Sequence, residues 1–265
     1  MNQQGIRLKF TWQRILTMIG LLSFIAIWPI TVMNNDWIYL IISIIYGQII
    51  SVISAQMILH RYFSHKSFKV NPVLHKLFCI LCILPGQGSP ISWAAAHRHH
   101  HKHADKELDN HSPRESYWLA AGGWLLKGYD WVMTTKKLKT IPVDLLKDNI
   151  VLTIDRYYYH IWLLLIIAVG CIDSKLMLYF LLAPIGQVLL ATSLVTLGCH
   201  IKLFKNYRNY DTRDDSQNNM LLQWILLGDA LHNTHHHNPN LYRLNLNKNE
   251  FDLVGSIIDK ICIKQ

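Results

Sequence analysis

The run His97-Arg98-His99-His100-His101-Lys102-His103 sets five imidazoles within seven residues, directly after an apolar stretch. If this run is helical, His97, His100 and His101 fall at i, i+3 and i+4 and share one face, where Cβ atoms lie about 5–6 Å apart. His99 and His103 then point elsewhere. The same spacing returns as His232, His235 and His236. Neutral imidazole offers a lone pair near neutral pH, so two such faces meeting would supply six donors, more than one tetrahedral zinc uses. A pair of metal ions fits the count. One histidine-rich tract alone reads equally well as a solvated basic face or a metal-scavenging tail; the repeated spacing favours a built site.

A third group, His60-Arg61-Tyr62-Phe63-Ser64-His65, follows an apolar block. On an ideal helix i and i+5 are well separated around the axis, so both rings reach one site only if the helix bends or if two metals are served. His200 leaves another apolar block at Cys199-His200 and is taken as a further ligand. Asp105 and Asp109 are candidates to accept the second N–H of a metal-bound imidazole, with ordinary helix-surface charge as the alternative. His75, His99, His103, His111, His160 and His237 are expected to be non-ligands. Cys79-Ile80-Leu81-Cys82 has redox or zinc spacing but lies inside an apolar run without a second pair, and reads as a buried turn.

These residues need elements to carry them, and the composition says which. The 265-residue chain is 51% hydrophobic and 16% charged, against about 25% charged in globular proteins, and its apolar residues come in blocks. Four blocks, at 15–33, 37–59, 157–171 and 176–197, approach the roughly 20 residues that cross a bilayer. They pair into two hairpins, the third block being short unless Tyr157–Tyr159 lie at the interface. Arg7, Lys9 and Arg14 before the first block, and Arg61, Lys66 and Lys69 after the second, place the termini and every histidine run on the cytoplasmic side. The expected fold is an all-α integral membrane protein: four transmembrane helices in two hairpins with a cytoplasmic helical cap, formed by 60–156 and 199–265, that holds a histidine-rich dimetal site in a single domain over 1–265. Leu74–Ala96, broken by Pro85-Gly86-Gln87-Gly88-Ser89-Pro90, should be re-entrant or interfacial rather than a span. Tyr117–Trp131 reads as an interfacial aromatic belt and Pro142–Asp155 as a short amphipathic helix. The net charge of +9 suits anionic headgroups or a phosphate-bearing substrate. No nucleic-acid module is present.

Taken together, the three histidine runs, with Asp105, Asp109 and His111-Ser112-Pro113, resemble the histidine boxes of membrane fatty acid desaturases, closest to the acyl-CoA Δ9 branch. The resemblance extends through Gly123-Trp124-Leu125-Leu126, Asp144-Leu145, Asp214-Asp215-Ser216, Asn219, Gly228, Pro239, Glu250 and Asp252. It implies a di-iron centre held by nine imidazoles, from His60, His65, His97, His100, His101, His200, His232, His235 and His236. It also implies Trp93 beside an acyl tunnel. Three positions depart from the family pattern. Thr196 stands where an asparagine that contacts a metal through water is frequent, Asn110 replaces a proline, and Asp229 replaces a glutamate but keeps a carboxylate able to orient a ligand.

The implied reaction is oxygen-dependent removal of two hydrogens from a long acyl chain, carried by CoA or by a lipid, to give a cis double bond. Such carbons have no acidic proton, so the chemistry needs an oxidant made from O2 at metal. With no dinucleotide fingerprint, haem motif or fused donor, electrons are expected from a separate ferredoxin or cytochrome b5 type protein. Val52 and Gln48, two and three α-helical turns before His60, are expected to close the tunnel. The competing readings are a membrane hydroxylase using the same centre and a membrane metal-binding or transport protein. The latter should line its spans with histidine, which this chain does not. Carboxylate di-iron bundles and zinc proteases are excluded by the absence of paired Glu-x-x-His and of His-Glu-x-x-His motifs. The expected location is a bacterial inner membrane, the chain crossing it several times among lipids.

Overall fold

The computed structural model describes residues 3–109, 111–124, 141–203 and 205–263, with side chains from Trp12 onward. Among the described residues four helices are long and apolar enough to cross a membrane: α1, Gln3–Asn34, apolar from Trp12; α2, Trp37–Ser64; and a second pair further along the chain. Between the pairs lie α3, Pro72–Leu81, and α4, Pro90–His103, each opened by a side-chain cap followed by proline, Asn71 on Leu74 N–H and Ser89 on Ser92 N–H. The second pair is α5, Asn149–Ile172, and α6, Ser174–Gly198. The cap continues through a two-stranded ladder, β1 (Asn206–Tyr207) with β2 (Asn218–Asn219), and three short helices, α7 (Leu222–Ile225), α8 (His232–His237) and α9 (Leu253–Ile261).

The third span differs from the sequence expectation. Pro142–Asp155 is not a separate amphipathic helix: Asp148 caps α5 through Ile150 N–H and Val151 N–H, so one helix runs unbroken over 24 residues and is long enough to span. The break expected over 85–90 is real. Neither α3 nor α4 is a span; α3 leaves Val73, Leu77 and Ile80 exposed, while α4 is buried from Pro90 to Ala96 apart from Ser92. Cys79 and Cys82 are buried free thiols. The part of the aromatic belt beyond Trp124, and Asn110, lie outside the described residues.

The two hairpins cross closely because glycine lets them. A Cβ on Gly20 would lie 2.5 Å from Ile185, and one on Gly186 would lie 2.6 Å from the Gly20 carbonyl, the small-residue packing that lets membrane helices approach. At the far end the turns are joined by Lys175–Asp36 at 2.7 Å. At the near end α2 and α6 deliver His60, His65 and His200 to the cap.

The last half of α2 decides the site. From Ser51 to Ser64 it is wound as a π-helix, with i→i+5 bonding that the His65 N–H continues to the His60 carbonyl at 3.1 Å. Such a long π segment is unusual, since these windings mostly occur as single turns and frequently at functional sites. Widening the turn puts i and i+5 on one face. The His60 and His65 rings accordingly lie with centroids 5.0 Å apart, which resolves the difficulty an α-helix would have posed.

Candidate metal centre

Nine imidazoles converge in two groups. One consists of His60, His65, His97, His101 and His235, the other of His100, His200, His232 and His236, each set with donor atoms within 4.8 Å of one another. The two helices contribute in a crossed pattern that follows from helix geometry. At about 100° per residue, i and i+4 lie roughly 40° apart while i+3 lies roughly 60° to the other side. On α4 the pair His97 and His101 enters the first group and His100 the second; on α8 the pair His232 and His236 enters the second and His235 the first. Each HxxHH run therefore serves both groups.

Neighbouring side chains hold these helices in place. The Arg98 guanidinium donates to the Phe63 and Ser64 carbonyls at 3.0 and 2.7 Å, closing the C-terminal end of α2, and pairs with Asp144 at 2.6 Å. The Asn218 side chain accepts from the Asn233 and Thr234 N–H groups at the start of α8. Asp144 is consequently held near pKa 2, chiefly by its hydrogen bond from Arg98.

Three carboxylates, Asp109, Asp105 and Asp214, each accept a hydrogen bond from a ring, and a fourth, Asp229, lies beside one as an ion-pair contact. Asp109 faces His100 Nδ1 at 2.9 Å, Asp105 faces His200 Nδ1 at 2.9 Å, Asp229 faces His60 Nδ1 at 3.3 Å, and Asp214 faces His236 Nδ1 at 3.0 Å. A carboxylate at Nδ1 keeps the proton there and leaves Nε2 as a bare lone pair. Burial pushes the carboxyls of Asp105 and Asp214 upward, but the hydrogen bonds from His200 and His236 outweigh it and both stay ionised. Burial, then mutual repulsion among the rings, lowers His97, His101, His232 and His235 well below the usual imidazole range. They are neutral at pH 7, the form that binds metal.

The donor set fits a metal. His100 and His236 meet through Nε2 at 3.3 Å although both carry their proton on Nδ1, so two lone pairs face each other and repel unless a cation lies between. Other Nε2 pairs are 2.7 Å (His65–His97), 2.9 Å (His60–His235) and 3.0 Å (His200–His232). Nitrogens bound at about 2.1 Å to one centre lie roughly 3.0–3.4 Å apart, close to these separations.

Nothing in the local sequence gives Asp214 a role of its own. It lies 22 positions from His236, and only its place in the Asp214-Asp215-Ser216 run marked it. Replacing it should loosen the second group: Asp214→Asn is expected to weaken metal retention by roughly 10–100-fold, read by competition with a chelator. Retention equal to the parent chain would remove it from the site. His111 stands nearer than expected, its ring 4.0 Å from that of His100 and grouped with Asp109. The other five histidines outside the groups are elsewhere. His75 pairs with Asp148 and Tyr62, His99 reaches the Leu108 carbonyl and lies tilted against His103, His160 is exposed on α5, and His237 stacks on Tyr210.

A cavity opens beside both groups, lined on α2 by Ser51, Ala55, Gln56 and His60, on α6 by Ala191, Thr192, Val195 and Thr196, and by Trp93 and Trp124. Trp93 stacks on His97 at 4.8 Å. Val52 and Gln48 are not on its wall. Val52 packs in the core, and Gln48 donates to the Ile225 carbonyl at 3.1 Å. The count of whole α-turns back from His60 fails because the segment is π-wound; Ser51, Ala55, Gln56 and His60 recur at the wider spacing instead. Thr196, at the position of the family asparagine, donates to the Ala120 carbonyl at 2.5 Å.

Residues 35–250 match the family model described as fatty acid desaturase. The chain is similar to the acyl-CoA desaturase of Ovis aries and the stearoyl-CoA desaturase of Capra hircus, each 27% identical over 88% of this chain and 66% of the relative. It is also similar to the acyl-CoA C20 Delta5-desaturase of Anemone leveillei, 27% identical over 71% of this chain and 59% of that protein. The chain thus spans somewhat less than two thirds of the length of these relatives. With the family model covering most of the sequence and all three histidine runs inside its match, the chain belongs to the fatty acid desaturase family.

Proposed function

We propose that this chain is an oxygen-dependent fatty acyl desaturase that introduces a cis double bond, at Δ9, into a long-chain acyl-CoA, with two iron ions held by the nine imidazoles. The observation that carries this reading is an apolar-walled cavity ending on both imidazole groups. The iron would supply activation of O2, chemistry that no side chain offers to an unactivated methylene. Loss of two hydrogens gives two electrons and two protons, and two more electrons from a separate donor protein with two protons from solvent complete reduction of O2 to two waters. Ferredoxin or a cytochrome b5 type protein fits that role. Basic residues flanking the spans support a cytoplasmic cap and termini, in the inner membrane of a bacterium.

The chain's own part is positioning. Ala55, Ala96 and Ala191 leave room along the cavity, and Trp93, donating to Gln87 Oε1 at 3.2 Å, holds one wall against His97. Placement of one carbon decides which C–H bond reacts. One relative's name carries a Delta5 position and the other two names carry none, so the fatty acid profile of a desaturase-deficient host, with double bonds located by mass spectrometry, is the direct test. A new Δ9 cis-monoene supports the reading, a monoene at another position corrects the register, and hydroxy acids replace desaturation with hydroxylation.

The cavity also predicts which blocking substitution works. Ala55→Trp should lower monoene formation on the order of 100-fold by displacing the chain while leaving bound iron unchanged. Val52→Trp should act through the core, lowering yield and thermal stability instead. Equal product from Ala55→Trp and the parent would detach the cavity from the reaction.

A further inference from the structure

Between the β-ladder and the third histidine run the chain forms a strap, Leu221–Leu226, built around α7. Its outward residues are apolar: Leu221, Trp224 and Ile225 are each more than half exposed, and Trp224 stacks on Phe251 at 4.6 Å. A face of this kind on a water-exposed cap would be costly to leave uncovered.

The strap is tied to the side of a membrane span. Gln48 Nε2 donates to the Ile225 carbonyl at 3.1 Å, and Gln56 Nε2 donates to the Leu226 carbonyl at 3.0 Å. Two glutamines of α2 thus satisfy adjacent carbonyls of the strap, as irregular backbone at membrane depth requires. A hydrocarbon core of about 30 Å accommodates roughly 20 helical residues. Counted from Trp37, where α2 begins, both glutamines fall within that length. The strap's apolar face continues the exposed stripe of Ile41, Ile45 and Ile49 on the same span.

We propose that this strap is immersed in the bilayer, with Leu221, Trp224 and Ile225 in contact with lipid acyl chains. The cap is therefore docked into the membrane as well as standing on it. Because the strap runs directly into Gly228, Asp229 and His232, the lipid contact sets the height of the third histidine run over the membrane.

Spin labels on Ile225→Cys or Leu221→Cys, in a chain with Cys171→Ser and Cys262→Ser, test this in phosphatidylcholine–phosphatidylglycerol vesicles. The ratio of collisions with oxygen to those with a water-soluble nickel chelate should match that of an Ile49→Cys label and exceed that of an Asn240→Cys label on the cap. A ratio matching Asn240→Cys would overturn the proposal and leave the patch to a soluble protein partner. Should the labelled chains fail to fold, brominated lipid should quench the parent chain's fluorescence more than that of Trp224→Phe; equal fractional quenching would overturn the proposal as well.

Discussion

With two irons held as proposed, replacing His100 with alanine should drop bound iron toward one ion per chain and stop double-bond formation. His100 belongs to the smaller imidazole group, and its loss leaves His200, His232 and His236 to hold that metal alone. The loss should exceed the roughly 10–100-fold that follows from disturbing an outer partner of a metal ligand. A second consequence follows at Asp109, which takes the His100 Nδ1–H at 2.9 Å and is buried. Without His100 that oxygen keeps the His111 N–H at 3.2 Å, while the five-imidazole group is untouched. Iron per chain and fatty acid profile, measured on the same preparation, separate the two effects. A variant that keeps two irons and full desaturation would refute the place given to His100.

How far the sequence foretold this site depends on which part is considered. The nine-histidine set was legible because repeated i, i+3, i+4 spacing survives translation into helices, and both HxxHH runs are helical where the spacing required it. The split of each run between two groups was not legible: one shared face was the expectation, and only the opposing helix shows that i+3 turns toward the other group. His60 and His65 posed a contradiction on an α-helix that the π-winding removes. The same winding defeated the placement of Val52 and Gln48, since counting turns back along α2 assumed the ordinary period. Asp214 and the strap escaped for another reason. Their partners, His236 and the glutamines of α2, are distant in sequence, and no local periodicity reports such contacts.

Asp252→Asn should destabilise the folded chain by roughly 3–5 kcal/mol, the cost of stranding a buried charge. Asp252 and Arg61 are both fully buried and meet at 2.8 Å. The same carboxylate accepts from the Leu244 N–H at 2.8 Å and, through its other oxygen, from the Gly255 N–H at 2.9 Å at the start of α9. Gly228, with φ +121°, packs so closely that a Cβ there would lie 2.7 Å from the Asp252 Cα. One residue thereby joins the end of α2, the loop before the third histidine run, and α9. Asparagine preserves the shape and, with its oxygen toward the Gly255 N–H, the helix cap, but its NH2 then faces Arg61 and the Leu244 N–H, so the substitution removes that acceptor together with the charge. What remains for Arg61 is the Tyr242 carbonyl; its Nε and Nη2 have no partner among the described residues. Arg61 follows His60 directly, so both metal groups should be lost together as the fold loosens, unlike the selective loss in His100→Ala. The double variant Arg61→Met with Asp252→Asn should recover much of the stability, because replacing both members of a buried pair removes the stranded charge. Thermal unfolding at one fixed scan rate, with iron counted before heating, reads both effects. If Asp252→Asn unfolds with the parent, or if the double variant is no more stable than the single, the pair is not what holds the cap to α2.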